Sequence, residues 1–162
     1  MTLEVKCQPL TAAGVAPFGD VLDCSGPADK IINAGFCERY HDRATLDFGP
    51  GGRAGLSLFH ATPRALPYRL DLLERHPDGS QAFLPMTENP FLVIVAPDDA
   101  GQPGTPLAFL TAPRQGINLY KGTWHGVLTP LAAPGIFAVI DRIGETDNLQ
   151  EVLLDPAYAI IE

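Results

Sequence analysis

The chain has 162 residues, 46% of them hydrophobic, and a formal net charge of −8. That length and apolar content suit one domain with a sizeable core, expected over residues 1–162, and exclude a disordered acidic tail. The acidic balance argues against nucleic-acid and anionic-membrane partners, which need a basic face; of the 11 basic side chains eight are Arg, the better fork for a small carboxylate.

In chain order, the opening MTLEVKCQPL has neither the basic leader nor the apolar stretch of a signal peptide, and no uncharged run approaches membrane-spanning length. Cys7, Cys24 and Cys37 are widely spaced and form no CxxC, so they read as reduced thiols of a cytoplasmic protein. LTAAGVAPFG (10–19) is the one helix candidate, a turn or two ended by Pro17. INAGFCERYHD (32–42) reads as a polar strand with Arg39 and His41 on one face and Glu38, Tyr40 and Asp42 on the other; such a run is usually a solvated edge. Short apolar runs then recur: GLSLFHA (55–61), QAFLPM (81–86), PFLVIVAP (90–97), PLAFLTA (106–112) and GIFAVIDR (135–142). Pro and Gly turn signals separate them, a spacing that predicts an all-β sandwich or barrel. FLVIVAP is apolar on both faces and predicts a central strand buried on both sides.

Three stretches carry chemistry. PYRLDLLERHP (67–77), the turn Pro77-Asp78-Gly79 and SQAFLPM (80–86) read as a β-hairpin with Glu74, His76 and Gln81 near its tip. Glu74 and His76 are two apart and share a face, which Gln81 can join from the returning strand. A carboxylate, an imidazole and an amide oxygen on rigid strands suit a metal site or an acid/base cluster; the plainer alternative is a solvated hairpin end. In RQGINLYKGTWHGVL (114–128), Asn118 and Tyr120 alternate with apolar residues and Lys121-Gly122 turns the chain. His125 beside Trp124 is then a ligand, a base, or a core histidine bonded to backbone. In AVIDRIGETDN (138–148) a buried strand ends in Asp141-Arg142, an expected ion pair.

The two His-bearing stretches resemble the two motifs of the cupin barrel: a hairpin with His and Glu or Gln, then G-x-x-H, here within KGTWH (121–125). Glu74 takes the place of the first of the two usual histidines. At longer range, ERYHD (38–42), LERHP-GSQAFLPM (73–86), QGIN with the Trp-His pair (115–125) and IDR-G--DN (140–148) resemble the ureidoglycolate lyase family, nearly end to end from PFGDV (17–21). The resemblance implies an all-β, cupin-like double-stranded barrel of jelly-roll type with few short helices, in a cytoplasmic homodimer. It also implies a carbon–nitrogen lyase of the amidine-lyase type, splitting (S)-ureidoglycolate into glyoxylate and urea in allantoin and purine breakdown. A hydrolase releasing ammonia and carbon dioxide, or a non-catalytic small-acid binding module, are the alternatives. On the lyase reading His76, Gln81, His125 and Glu74 form the catalytic group, either holding a divalent metal such as nickel or acting directly as acids and bases. Arg39, with Lys121 as second choice, clamps the substrate carboxylate, Tyr40 and Asn118 bond the ureido group, and no organic cofactor takes part. One departure stands out: the family commonly follows Trp-His with a second His or a bulky residue and a Pro, whereas this chain has Gly126-Val127, so the weight rests on His125 alone.

Overall fold

The computed structural model describes residues 3–162. The elements in order are β1 (Leu3–Pro9), the single-turn helix α1 (Ala12–Val15), β2 (Gly19–Leu22), β3 (Lys30–Ile32), a 3₁₀ turn (Asn33–Gly35), β4 (Cys37–Arg39), β5 (Arg53–Ala61), β6 (Tyr68–Arg75), β7 (Gln81–Pro85) and β8 (Phe91–Ala96). They continue with β9 (Asp98–Asp99), β10 (Gln102–Pro103), β11 (Leu107–Leu110), β12 (Gly116–Leu119), β13 (Trp124–His125), β14 (Thr129–Pro130), β15 (Gly135–Ile143) and β16 (Gln150–Ile161). The helix is as short as the sequence predicts. The Thr11 hydroxyl caps it by accepting from the Gly14 N–H, and Pro17 follows its last turn.

Six strands close on themselves in the order β11-β1-β16-β6-β13-β8, with β8 pairing back onto β11, so the expected all-β barrel is present. A second, five-stranded antiparallel sheet, β2-β12-β7-β15-β5, packs against it. β8 explains how the layers hold together. Its even residues Leu92, Ile94 and Ala96 fill the barrel with Leu70, Trp124 and Ile160. Its odd residues Phe91, Val93 and Val95 face the second sheet, where they meet Phe83, Ile117, Phe137 and Val139. A strand apolar on both faces is what this shared wall requires, and all six of its residues are buried.

The hairpin expectation at residues 67–86 is corrected. β6 pairs with β13 and β16, while β7 pairs with β12 and β15, so the two belong to different sheets. Pro77-Asp78-Gly79 is therefore a corner between layers. Each side of it is drawn to a partner distant in sequence: the Asp78 N–H donates to Asn148 Oδ1 (2.8 Å) and the Ser80 N–H to the Asp47 carbonyl (2.7 Å). Gly79 passes so close to Arg142 that an added Cβ would lie 2.7 Å from that side chain. The other polar run, around Arg39, is a strand only as far as that residue, in a separate two-stranded ribbon of β3 and β4.

Candidate active site

Because β6 and β7 face each other across the gap between barrel and sheet, their polar side chains meet without being cross-strand neighbours. Trp124 points into the barrel, so His125, next along β13, points outward into the gap. Glu74 is paired directly with His125 and projects to the same side, while Leu73 fills the barrel. His76 follows two residues later, its ring centroid 5.2 Å from that of His125. From the opposite layer Gln81 shares the inward face of β7 with Phe83. The ligand atoms of Glu74, His76 and His125 lie within 4.8 Å of one another. Gln81, His76 and His125 line one small cavity.

Each of these side chains is oriented from behind. His76 Nδ1 lies 2.8 Å from the Asn148 carbonyl and His125 Nδ1 lies 2.9 Å from the Gly126 carbonyl. A carbonyl only accepts, so both Nδ1 atoms carry a proton, and Nε2 is the nitrogen each ring has left to present a lone pair. Gln81 Nε2 donates to Asp141 Oδ2 (3.2 Å), which turns Oε1 the other way. The two Nε2 atoms and Gln81 Oε1 are buried and have no protein partner. Leaving such acceptors bare costs about 1–3 kcal/mol each, so three of them together form a receptor for a cation or for proton donors. Burial holds His125 neutral, its pKa lowered to about 4. Burial also raises the pKa of Glu74, against the pull of His76, and Glu151 raises it further. This donor set of two imidazoles, an amide oxygen and a carboxylate fits a divalent metal.

Trp124 helps to fix this wall. Its indole N–H donates to Asp98 Oδ1 (2.9 Å), the same oxygen that pairs with Arg75 (2.8 Å), and the Arg75 guanidinium lies 4.3 Å over the Trp124 ring. Arg75 is thereby tied to Asp98, Gln150 and Trp124.

The ureidoglycolate lyase family profile matches residues 2–161. The chain belongs to the ureidoglycolate lyase family. Its relatives include a Rhodobacter capsulatus protein named ureidoglycolate lyase, 58% identical with 98% of each chain covered. A Mesorhizobium japonicum ureidoglycolate lyase is 49% identical over 97% of each chain, and ureidoglycolate lyase 2 of Rhizobium meliloti is 48% identical over 98% of each.

The structure does not bring the four expected substrate-binding residues of this family member to the same centre. Asn118 is paired with Ala82 and shares its outward face, away from Gln81; its Nδ2 donates to Asp20 Oδ2 (3.1 Å) and the Thr45 carbonyl (2.9 Å). Tyr40 lies over that same outer face, beside Ala82, Leu84 and Ile140, and its hydroxyl donates to the Gly26 carbonyl. Lys121 is paired with Asp47 at 3.0 Å. Arg39 is exposed on the β3–β4 ribbon. The expected Asp141–Arg142 pair is also corrected: Asp141 holds Gln81, and Arg142 donates to the carbonyls of Phe48 and Pro50. Sequence reasoning missed Asn148, whose carbonyl orients His76 and whose side chain holds the Asp78 corner. The only signal for it was its place in IDR-G--DN.

Proposed function

We propose that this chain is a ureidoglycolate lyase, a single domain over residues 1–162 that splits (S)-ureidoglycolate into glyoxylate and urea. The observation that carries the site is that His76 Nε2, His125 Nε2 and Gln81 Oε1 are buried without protein partners on residues lining one small cavity, with Glu74 within reach of both histidines. Full-length similarity to relatives bearing that name supports the substrate.

The reaction needs no water. The carbinol O–H proton leaves, its oxygen closes to the carbonyl of glyoxylate, the C–N electron pair goes to nitrogen, and the nitrogen takes a proton to depart as urea. Glu74 moves the proton: with one oxygen in the ligand set, its other oxygen is left to accept from the hydroxyl and return the proton to the urea nitrogen, a role worth about 10²–10⁴-fold. His76, His125 and Gln81, with Glu74 completing the set, would hold a divalent ion, nickel or a similar late metal. Bound there, it would lower the pKa of the substrate hydroxyl and orient it with the carboxylate. His125, neutral at working pH, supplies a standing lone pair rather than a shuttled proton. The carbonyls of Asn148 and Gly126 hold His76 and His125 in place.

The product assay tests this reading. Purified protein with racemic ureidoglycolate should give one urea per glyoxylate from half of the material. Release of ammonia would mean hydrolysis, and binding without products would mean a non-catalytic small-acid module.

A cytoplasmic homodimer belongs to the same proposal. All three cysteines are free thiols, the state a reducing compartment keeps. β5 is an edge strand whose Leu56 and Leu58 are 72% and 68% exposed, a surface suited to a second copy. No helix among the described residues is long and apolar enough to cross a membrane. Sedimentation at micromolar protein should give twice the monomer mass.

A further inference from the structure

We infer that Arg64 holds the substrate carboxylate at the mouth of the site, an inference that rests on the lyase reading. A pocket of about 460 Å³ opens between the layers and reaches Glu74 and Gln81; Phe59, His60, Arg64 and Phe83 are among its other walls. Arg64 is the only Lys or Arg among the described residues lining it. An anion entering an acidic chain past Glu74 needs a countercharge, and the pocket offers one.

Six of the other seven arginines are committed elsewhere. Arg43, Arg69, Arg75 and Arg114 pair with Asp29, Asp71, Asp98 and Glu88. Arg142 and Arg53 donate to backbone carbonyls. Arg39 and Arg64 alone have no side-chain hydrogen bond or ion pair among the described residues, and of these two Arg64 faces the pocket. Its own position is nonetheless fixed. The Arg64 N–H donates to the Pro130 carbonyl (2.8 Å), and the guanidinium lies 5.7 Å over the Tyr68 ring. An anchored stem with free planar donors is the arrangement that receives a carboxylate bidentately. With the carboxylate on Arg64, the carbinol end of the substrate faces Glu74 and Gln81.

The test uses hydantoate, which is the substrate without its hydroxyl and cannot be cleaved, and the neutral amide of hydantoate, both titrated calorimetrically into the full chain. The wild type should prefer the acid. Arg64→Ala should weaken the acid by about 10–100-fold, as expected for loss of a charged hydrogen bond, and leave the amide unchanged. Arg64→Lys should recover part of the preference, and Arg69→Ala, removing an equal charge from exposed surface, should keep all of it. With ureidoglycolate, Arg64→Ala should raise KM more than it lowers kcat. If the alanine variant does not fold, Arg64→Gln, which keeps much of the stem over Tyr68, carries the same comparison. Equal weakening of acid and amide, no weakening of either, or a wild type without preference for the acid would overturn the assignment. A wild type that prefers the acid through Arg64 but releases no urea from ureidoglycolate would sink the lyase reading and leave Arg64 standing.

Discussion

Each face of the five-stranded sheet carries an amide–carboxylate pair. On the inner face Gln81 donates to Asp141 at 3.2 Å; on the outer face Asn118 donates to Asp20 at 3.1 Å. In both, the amide oxygen is buried and lacks a protein partner. The difference lies in the company each oxygen keeps. Gln81 Oε1 shares its cavity with His76 and His125, whose lone pairs are likewise free. Asn118 instead spends both amide hydrogens on Asp20 and the Thr45 carbonyl, which fastens the segment around Thr45 across the sheet. An unpartnered oxygen marks a site when other unpartnered acceptors converge on it; alone it belongs to a structural tie.

The sharpest way to break the comparison is to remove a lone pair from the inner group. His125→Ala should lower kcat by about 10²-fold or more with the fold retained. His125→Asn should lose bound metal together with activity, since an amide oxygen is a weaker ligand than imidazole for late divalent ions. A folded His125→Ala variant with near-normal kcat would remove this residue from the mechanism.

The two amide–carboxylate pairs separate the faces next. Asp141→Ala frees Gln81 to rotate and should cost about 10–100-fold in metal affinity, read by competition with a chelating dye. Asn118→Ala should instead cost about 1–3 kcal/mol of stability in urea denaturation and leave metal affinity unaltered. The opposite pattern would show that the outer pair contributes to the site and the inner pair only to the scaffold.

A pH titration sharpens the inner face further. His125 has a folded pKa depressed to about 4, below the usual 6.5 of an exposed imidazole, because burial disfavours its charged form. Between those values the unfolded chain binds the extra proton. The contribution of His125 to stability is therefore fully present above pH 6.5 and is lost as pH falls toward about 4. Metal-free wild type should weaken in urea over that window, and metal-free His125→Gln should weaken less. Equal acid sensitivity of the two would contradict the burial argument. The smallest effect belongs to Arg39→Ala, which should leave KM within about twofold, a change at the size expected of surface charge; a large rise would return the carboxylate clamp to the β3–β4 ribbon.

Much of this was legible in the residues, and its limits follow from how β structure forms. The two-sided apolar run at Phe91–Ala96 revealed the shared wall, because a strand buried on both faces leaves no other pattern. Glu74, His76, Gln81 and His125 are each conspicuous in the sequence, although the hairpin it suggests for them does not form. Pro-Asp-Gly serves a hairpin and a corner equally well, and only the partners of β6 and β7, distant in sequence, decide between them. The sequence shows the polarity of Asn118 but not its face: one step along β12 exchanges inside for outside, and Tyr40 lies over that same outer face. Arg64 lay in ATPRALPY with no motif around it, and its value depends on which other arginines are already paired.

The central claim is that Glu74, His76, Gln81 and His125, drawn from two layers, make one metal-holding centre. Anomalous diffraction from crystals grown with nickel tests it most directly. The account predicts a single strong peak in contact with His76 Nε2, His125 Nε2, Gln81 Oε1 and a Glu74 oxygen. A peak elsewhere, or His76 and His125 turned to other partners with no peak between them, would contradict it.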